Sequence, residues 1–139
     1  MLKVLFTASG KRVGGATMAM LHLMLGLGEH GVQPILLSTQ PLPSYRFIYR
    51  RLKEKGARLI LFGEPRGGPW FWLKLFLETL KTIKRERIHL IHCHGTKEAL
   101  VIGLAAKLLS RKMIYTVEGD PLLEMAYSPR RYSPLSRIT

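Results

Sequence analysis

From Leu2 to Thr7 the chain reads LKVLFT, apolar with β-branched and aromatic members, and a glycine-rich SGKRVGG follows. Short apolar runs bounded by turn residues predict buried strands. Ala16–Glu29 is rich in Met, Leu and Ala, which favour helix, and Gly31 is placed to stop it. The two patterns then alternate. Further strands are predicted at Pro34–Thr39, Arg58–Phe62, Ile88–Cys93 and Lys112–Val117, and helices at Tyr45–Lys55, Trp70–Arg87 and Lys97–Leu109. On the second helix Phe47, Ile48 and Leu52 stand at core spacing. On the third, Leu73, Leu77, Leu80 and Ile83 mark the expected core face, which leaves Phe71, Trp72 and Leu75 for exposure.

Strands alternating with helices through short connections imply a parallel sheet covered on both faces. The expected fold is therefore α/β, a Rossmann-like doubly wound domain over residues 1–120. From Glu118 onward the period fails. Residues 121–139 read as a basic, proline-containing tail, the truncated start of further structure.

Composition narrows the function. The 139 residues carry 22 Lys and Arg against 9 Asp and Glu, a net charge of +13 that favours anionic partners: nucleic acid, nucleotide phosphates or an acidic membrane surface. The single cysteine, Cys93, cannot form an internal disulfide, suits a reducing compartment and excludes a Cys-rich zinc module. Met1–Thr7 is too short and too alternating for a signal peptide. The longest uncharged run, between Arg12 and Glu29, falls short of the ~20 apolar residues of a spanning helix. A soluble protein on the cytoplasmic side is expected.

In an open α/β sheet, ligands bind outside the carboxyl ends of the strands. That rule gathers the loop after the first strand, the His92–Gly95 corner and the Glu118–Asp120 turn. Ser9–Gly15 opens onto a helix, where free amides attract phosphate, and Lys11 and Arg12 add charge. The loop has neither the Gly-Lys-Ser/Thr of a Walker A motif nor the G-x-G-x-x-G spacing, which undercuts a nucleotide-dependent oxidoreductase. A glycine turn with two solvated cations accounts for it equally well. His92 and His94 lie one residue apart on a strand and so point to one face. They suit metal ligation less well than a packed His92 bonded to a neighbouring strand and a His94 facing a ligand, so no metal site is assigned. Glu118 and Asp120 read either as a carboxylate pair or as an ordinary E-G-D-P turn. No G-x-S-x-G elbow supports a hydrolase. The Trp70–Trp72 segment, heading a helix with Lys81, Lys84, Arg85 and Arg87, suits either the core or an anionic membrane interface.

The order of these motifs resembles the N-terminal domain of GT-B glycosyltransferases of family 4, the group 1 transferases. The matching features are Gly14-Gly15 leading into a helix, a strand ending in His92-Cys93-His94-Gly95, and a strand ending in Thr116-Val117-Glu118-Gly119-Asp120. Glu118 departs from the histidine frequent in that family. The resemblance implies that Gly14 and Gly15 lie against the donor diphosphate and the acceptor, with Lys11 and Arg12 drawing in a phosphorylated or lipid-linked acceptor. It implies further that His94, the expected catalytic residue, meets sugar hydroxyls, and that Glu118 and Asp120 meet acceptor polar groups.

By the same resemblance the chain is the acceptor-binding half of a retaining, hexosyltransferase-type enzyme. Its nucleotide-sugar is a co-substrate, no cofactor is required, and a C-terminal donor-binding domain is missing. The enzyme would be cytoplasmic, peripheral on the inner face of the membrane, and inactive without its second domain. The alternative is a non-catalytic Rossmann-like binding module for an anionic partner, a membrane surface or nucleic acid. Nucleic acid is the less expected, because aromatic-basic RNA-binding motifs are lacking.

Overall fold

Alternation along the first strand decides how the molecule is layered. In the computed structural model, which describes residues 1–8, 15–39, 45–63, 68–94 and 96–116, strand β1 spans Leu2–Ala8. Val4 and Phe6 point into one buried cluster and Leu5 into another. A strand buried on both faces needs apolar residues at successive positions, which is why LKVLFT carries no polar alternation after Lys3.

Helix α1 (Gly15–Leu27) and a 3-10 turn (Gly28–His30) lead to β2 (Val32–Ser38). Helix α2 (Arg46–Glu54), β3 (Arg58–Leu61), α3 (Pro69–Glu86), β4 (Leu90–His94), α4 (Thr96–Leu108) and β5 (Lys112–Thr116) follow. All the pairings are parallel, in the order β3-β2-β1-β4-β5. The chain builds outward from β1 to β3, then α3 carries it back to lay β4 against β1. Met20, Leu21 and Met24 of α1 and Ile48, Tyr49 and Leu52 of α2 cover one face; Phe71, Leu75 and Ile83 of α3 and Ile102 and Ala105 of α4 cover the other. The α/β, doubly wound, Rossmann-like expectation holds. The boundary expected at residue 120 and the tail 121–139 lie outside the described residues.

Two core faces differ from expectation. In α2 Phe47 is exposed, and Tyr49 takes its place in the core. There its hydroxyl meets Ser38 Oγ at 2.8 Å, while Ser38 Oγ donates to the Thr39 carbonyl. In α3 the expected face holds only in part: Ile83 is buried and Leu80 packs against the core, but Leu75 is 0% exposed and Phe71 is buried, whereas Leu77 is 51% exposed and Leu73 is also open to solvent. This helix carries two apolar stripes of equal period. Phe71 decides between them, stacking on Phe62 at 6.0 Å just beyond β3 and edge-on against Trp72.

Three helices close in the same way. After α2, Ala57 N–H reaches back to the Leu52 carbonyl; after α3, Ile88 N–H to Ile83; after α4, Arg111 N–H to Ala106. This 6→1 bond needs a left-handed residue in the turn. Gly56 supplies it after α2, but Arg87 and Ser110 adopt it, at φ 55° and 52°, after α3 and α4. The buried neighbours Ala57 and Ile88 hold the first two turns down.

The two stripes of α3 make separable predictions. Leu75→Ala should cost about 3 kcal/mol of stability, the range for emptying a closed core site, and Leu77→Ala less than about 0.5 kcal/mol. Urea unfolding of the two variants would measure the difference, and equal losses would contradict the observed face.

Candidate active site

The reversal of strand order between β1 and β4 opens a crevice at their carboxyl ends, because α1 leaves β1 toward one face and α4 leaves β4 toward the other. Register places His92 beside Phe6, and their rings lie 5.3 Å apart. His94, two residues on and on the same face, stacks on His92 at 4.7 Å with the planes 26° apart. His92 Nε2 and Thr116 Oγ1 of β5 share a 2.7 Å hydrogen bond. Phe6, His92 and His94 thus form a column on the α1 side of the sheet, fastened to β5 and ending at the crevice rim. His92 is a packed histidine bonded to a neighbouring strand, and it is the platform on which His94 stands.

Cys93, between the two histidines, points to the opposite face and is fully buried. Its Sγ lies 3.7 Å from Met113 Sδ. Burial pushes its thiol up to about 12; the neighbouring Thr7 hydroxyl pulls it back and the Glu98 carboxylate adds to the rise. The Thr7 hydroxyl is itself buried, and its approach to the thiol is too loose for a hydrogen bond of ordinary geometry. A thiol so placed is neither a nucleophile nor a metal ligand.

Of the residues expected to form the site, His94 is placed at the crevice by the end of β4, and Gly15 is the first residue of α1. Lys11, Arg12, Gly14, Glu118 and Asp120 lie outside the described residues. Sequence reasoning assigned no role to Phe6 or Thr116. The second was within reach: a hydroxyl ending a strand adjacent to an H-x-H strand is a natural partner for an imidazole. The packing of Phe6 required the β1–β4 register. Among the described residues no group of three or more His, Cys, Asp or Glu is gathered to hold a metal ion.

A family model, Glycosyltransferase Family 4, matches residues 13–138. The chain belongs to glycosyltransferase family 4. No curated protein sequence matches this family 4 chain. Among solved structures it is similar to a glycosyltransferase from Rickettsia africae (TM-score 0.66, 18% identity, 91% of this chain and 33% of that one). It is also similar to MurG from Acinetobacter baumannii (0.63, 20%, 91% and 39%). A third is the UDP-GlcNAc 2-epimerase from Neisseria meningitidis, solved with UDP-GlcNAc (0.65, 14%, 98% and 37%). At these identities the likeness is one of fold, and the family 4 chain spans between a third and two-fifths of each neighbour's length.

The buried thiol gives a pH test. In the unfolded chain Cys93 ionises near its ordinary value of 9.0, while in the folded chain it holds its proton to about 12. Its contribution to stability is therefore complete below pH 9.0 and is lost as pH rises toward about 12. Tyr49, raised by burial, acts with the same sign. Urea unfolding from about pH 8 to about pH 11 should show stability falling, and falling less in Cys93→Ala. Identical pH slopes in the two proteins would mean that the thiol is not sealed.

Proposed function

We propose that this chain is the acceptor-side domain of a retaining glycosyltransferase that moves a hexose from a nucleotide-sugar to an acceptor hydroxyl, the acceptor being a sugar or a lipid-linked sugar at an anionic membrane. The observation that carries the reading is the column ending in His94 at the switch-point crevice of a family 4 chain. Stacking and the Thr116 bond fix His92, so His94 is presented by a rigid support rather than by a loop. An imidazole there can hydrogen-bond a sugar hydroxyl in the transition state. Gly15 opens α1, whose positive end favours a diphosphate leaving group, with Gly14, Lys11 and Arg12 in the preceding loop and Glu118 and Asp120 for the acceptor. A second domain supplies most of the donor contacts, so this chain alone has no useful turnover. The nucleotide-sugar is a co-substrate, and no cofactor takes part. The enzyme acts on the cytoplasmic side, peripheral to the membrane.

The test is sugar transfer by the full-length enzyme. His94→Ala should lower kcat by about a hundredfold, in the range of a lost acid–base or transition-state hydrogen bond, and leave the thermal midpoint within a few degrees. Near-normal turnover with an intact fold would remove His94 from the mechanism.

A second reading, a non-catalytic module for an anionic partner, is favoured by one observation. A groove of about 850 Å³ runs beside the edge strand β3, bordered by Arg46, Arg50, Lys53, Arg58 and Arg85. Arg58 and Arg85 are each 3.1 Å from the buried Glu86 carboxylate. Arg46, Arg50 and Lys53, at i, i+4 and i+7 of α2, form no ion pair among the described residues. If polyanions are the physiological ligand, affinity for a DNA duplex used as a generic polyanion should fall with salt at a log–log slope near −3, about one per neutralised phosphate. Replacing these three by Ala should flatten that slope, and nucleotide-sugars should not compete. Competition by a nucleotide-sugar would return the chain to the transferase reading.

A further inference from the structure

The outer side of β3 is a sheet edge that the fold leaves unpaired. Its neighbour is β2, and among the described residues no strand lies on its other side. Ser38 stands opposite Leu61, and the Phe62 N–H donates to the Ser38 carbonyl at 2.9 Å. In a parallel ladder one residue turns its N–H and C=O to one neighbour, and the next residue turns them to the other. Ile60 and Phe62 therefore face β2, while Leu59 and Leu61 turn their amides and carbonyls outward. They open into the groove of about 850 Å³, which all four residues of β3 line. Helix α2 walls it on one side and Arg85 of α3 on the other. Leu61 is 42% exposed in it, so the slot offers apolar surface together with backbone donors and acceptors.

Charges at such an edge ordinarily guard it against pairing with other chains. Here the guard is selective. Arg58 and Arg85 are each tied to Glu86. Arg46, Arg50 and Lys53 are exposed, enter no ion pair among the described residues, and form one row about 10 Å long on α2. That length is the rise of about three strand residues, so alternate side chains of an added strand come level with two of these cations. A second copy of the chain would bring the same cations into the slot and is repelled. A nucleic acid would meet the charges but carries no row of amides to continue the ladder.

We propose that β3 receives a sixth strand from another protein, an extended acidic segment in which carboxylates alternate with apolar residues. Main-chain bonds to Leu59 and Leu61 hold the segment. Its carboxylates meet Arg46, Arg50 and Lys53 on the α2 side, and its apolar side chains cover the partly buried Ile60 on the α3 side. The docking uses the groove of the second reading above and rests on it for the sign of the ligand's charge. It is equally compatible with a transferase, because the His94 crevice between β1 and β4 lies two strands away.

The experiment is fluorescence anisotropy of a labelled heptapeptide of alternating Glu and Val titrated with the 139-residue chain, with amide exchange followed by NMR. The peptide should bind. The Leu59 and Leu61 amides should then exchange at least about tenfold more slowly, whereas Ile60 and Phe62 should be protected with or without it. Two further versions of the peptide, N-methylated at the Glu or at the Val positions, keep its charge. One of them should bind at least about tenfold more weakly, since only one set of amides faces β3. Arg46→Ala/Arg50→Ala/Lys53→Ala should weaken binding at least about tenfold and keep its thermal midpoint, as the three side chains are exposed. Leu61→Pro removes one outward N–H and no charge, a change that an edge strand accepts, and should also weaken binding. The proposal is overturned if the peptide does not bind, if both N-methylated versions bind as well as the parent, or if the Leu59 and Leu61 amides gain no protection. It is also overturned if a single-stranded oligonucleotide of equal charge binds more tightly at the same three cations. Salt-dependent binding of the DNA duplex without peptide binding would keep the second reading and remove this one. No nucleotide-sugar is present, so failure of the transferase reading leaves the result untouched.

Discussion

The pairing of β4 against β1, rather than against β3, is the constraint from which the rest of the molecule follows. Parallel strands cannot be joined by a tight turn, so the chain must travel over a face of the sheet to make this pairing. Right-handed crossovers put α1 and α2 on one side when the sheet grows outward, and α3 and α4 on the other when it returns. The crevice at the carboxyl ends exists because the crossovers part there. The same pairing brings His92 alongside Phe6 and makes β3 a free edge.

The histidine column shows how such a pairing orders side chains at the end of a strand. An imidazole at the end of a strand would ordinarily sample several rotamers. Here His92 is sandwiched between Phe6 and His94 and bonded to Thr116, so three strands combine to hold one ring. His94 inherits that order through stacking. Cys93 between them is sealed into the opposite face, so neighbouring residues on one strand have unrelated chemistry.

The large positive charge is divided between surfaces of different character. Beside β3 the cations border a groove, and two of them are tied to Glu86, which also links α3 to β3. Along α3 and α4 the cations stand among exposed leucines and a tryptophan. Net charge draws anions toward the whole molecule, but the arrangement of apolar groups around the charges separates a cation-bordered groove from an apolar helix face fringed with lysines.

The sequence by itself determined the element order and fold class, because doubly covered strands must be continuously apolar and helices must alternate with them. It also placed His92 and His94 on one face at the end of β4, since residues one apart on a strand share a face. Gly31 was legible as a stop because glycine enters the left-handed region at little cost; the left-handed turns at Arg87 and Ser110 were not, because there tertiary packing imposes the conformation on residues that do not favour it. Only the tertiary structure decided which stripe of α3 faces inward. Leu73–Leu77 and Phe71–Leu75 have the same helical period, and periodicity fixes a face without saying what it meets. Phe62, brought alongside by the end of β3, supplied the partner for Phe71. The choice buried Leu75 and turned Trp70, Leu73 and Leu77 out to the solvent.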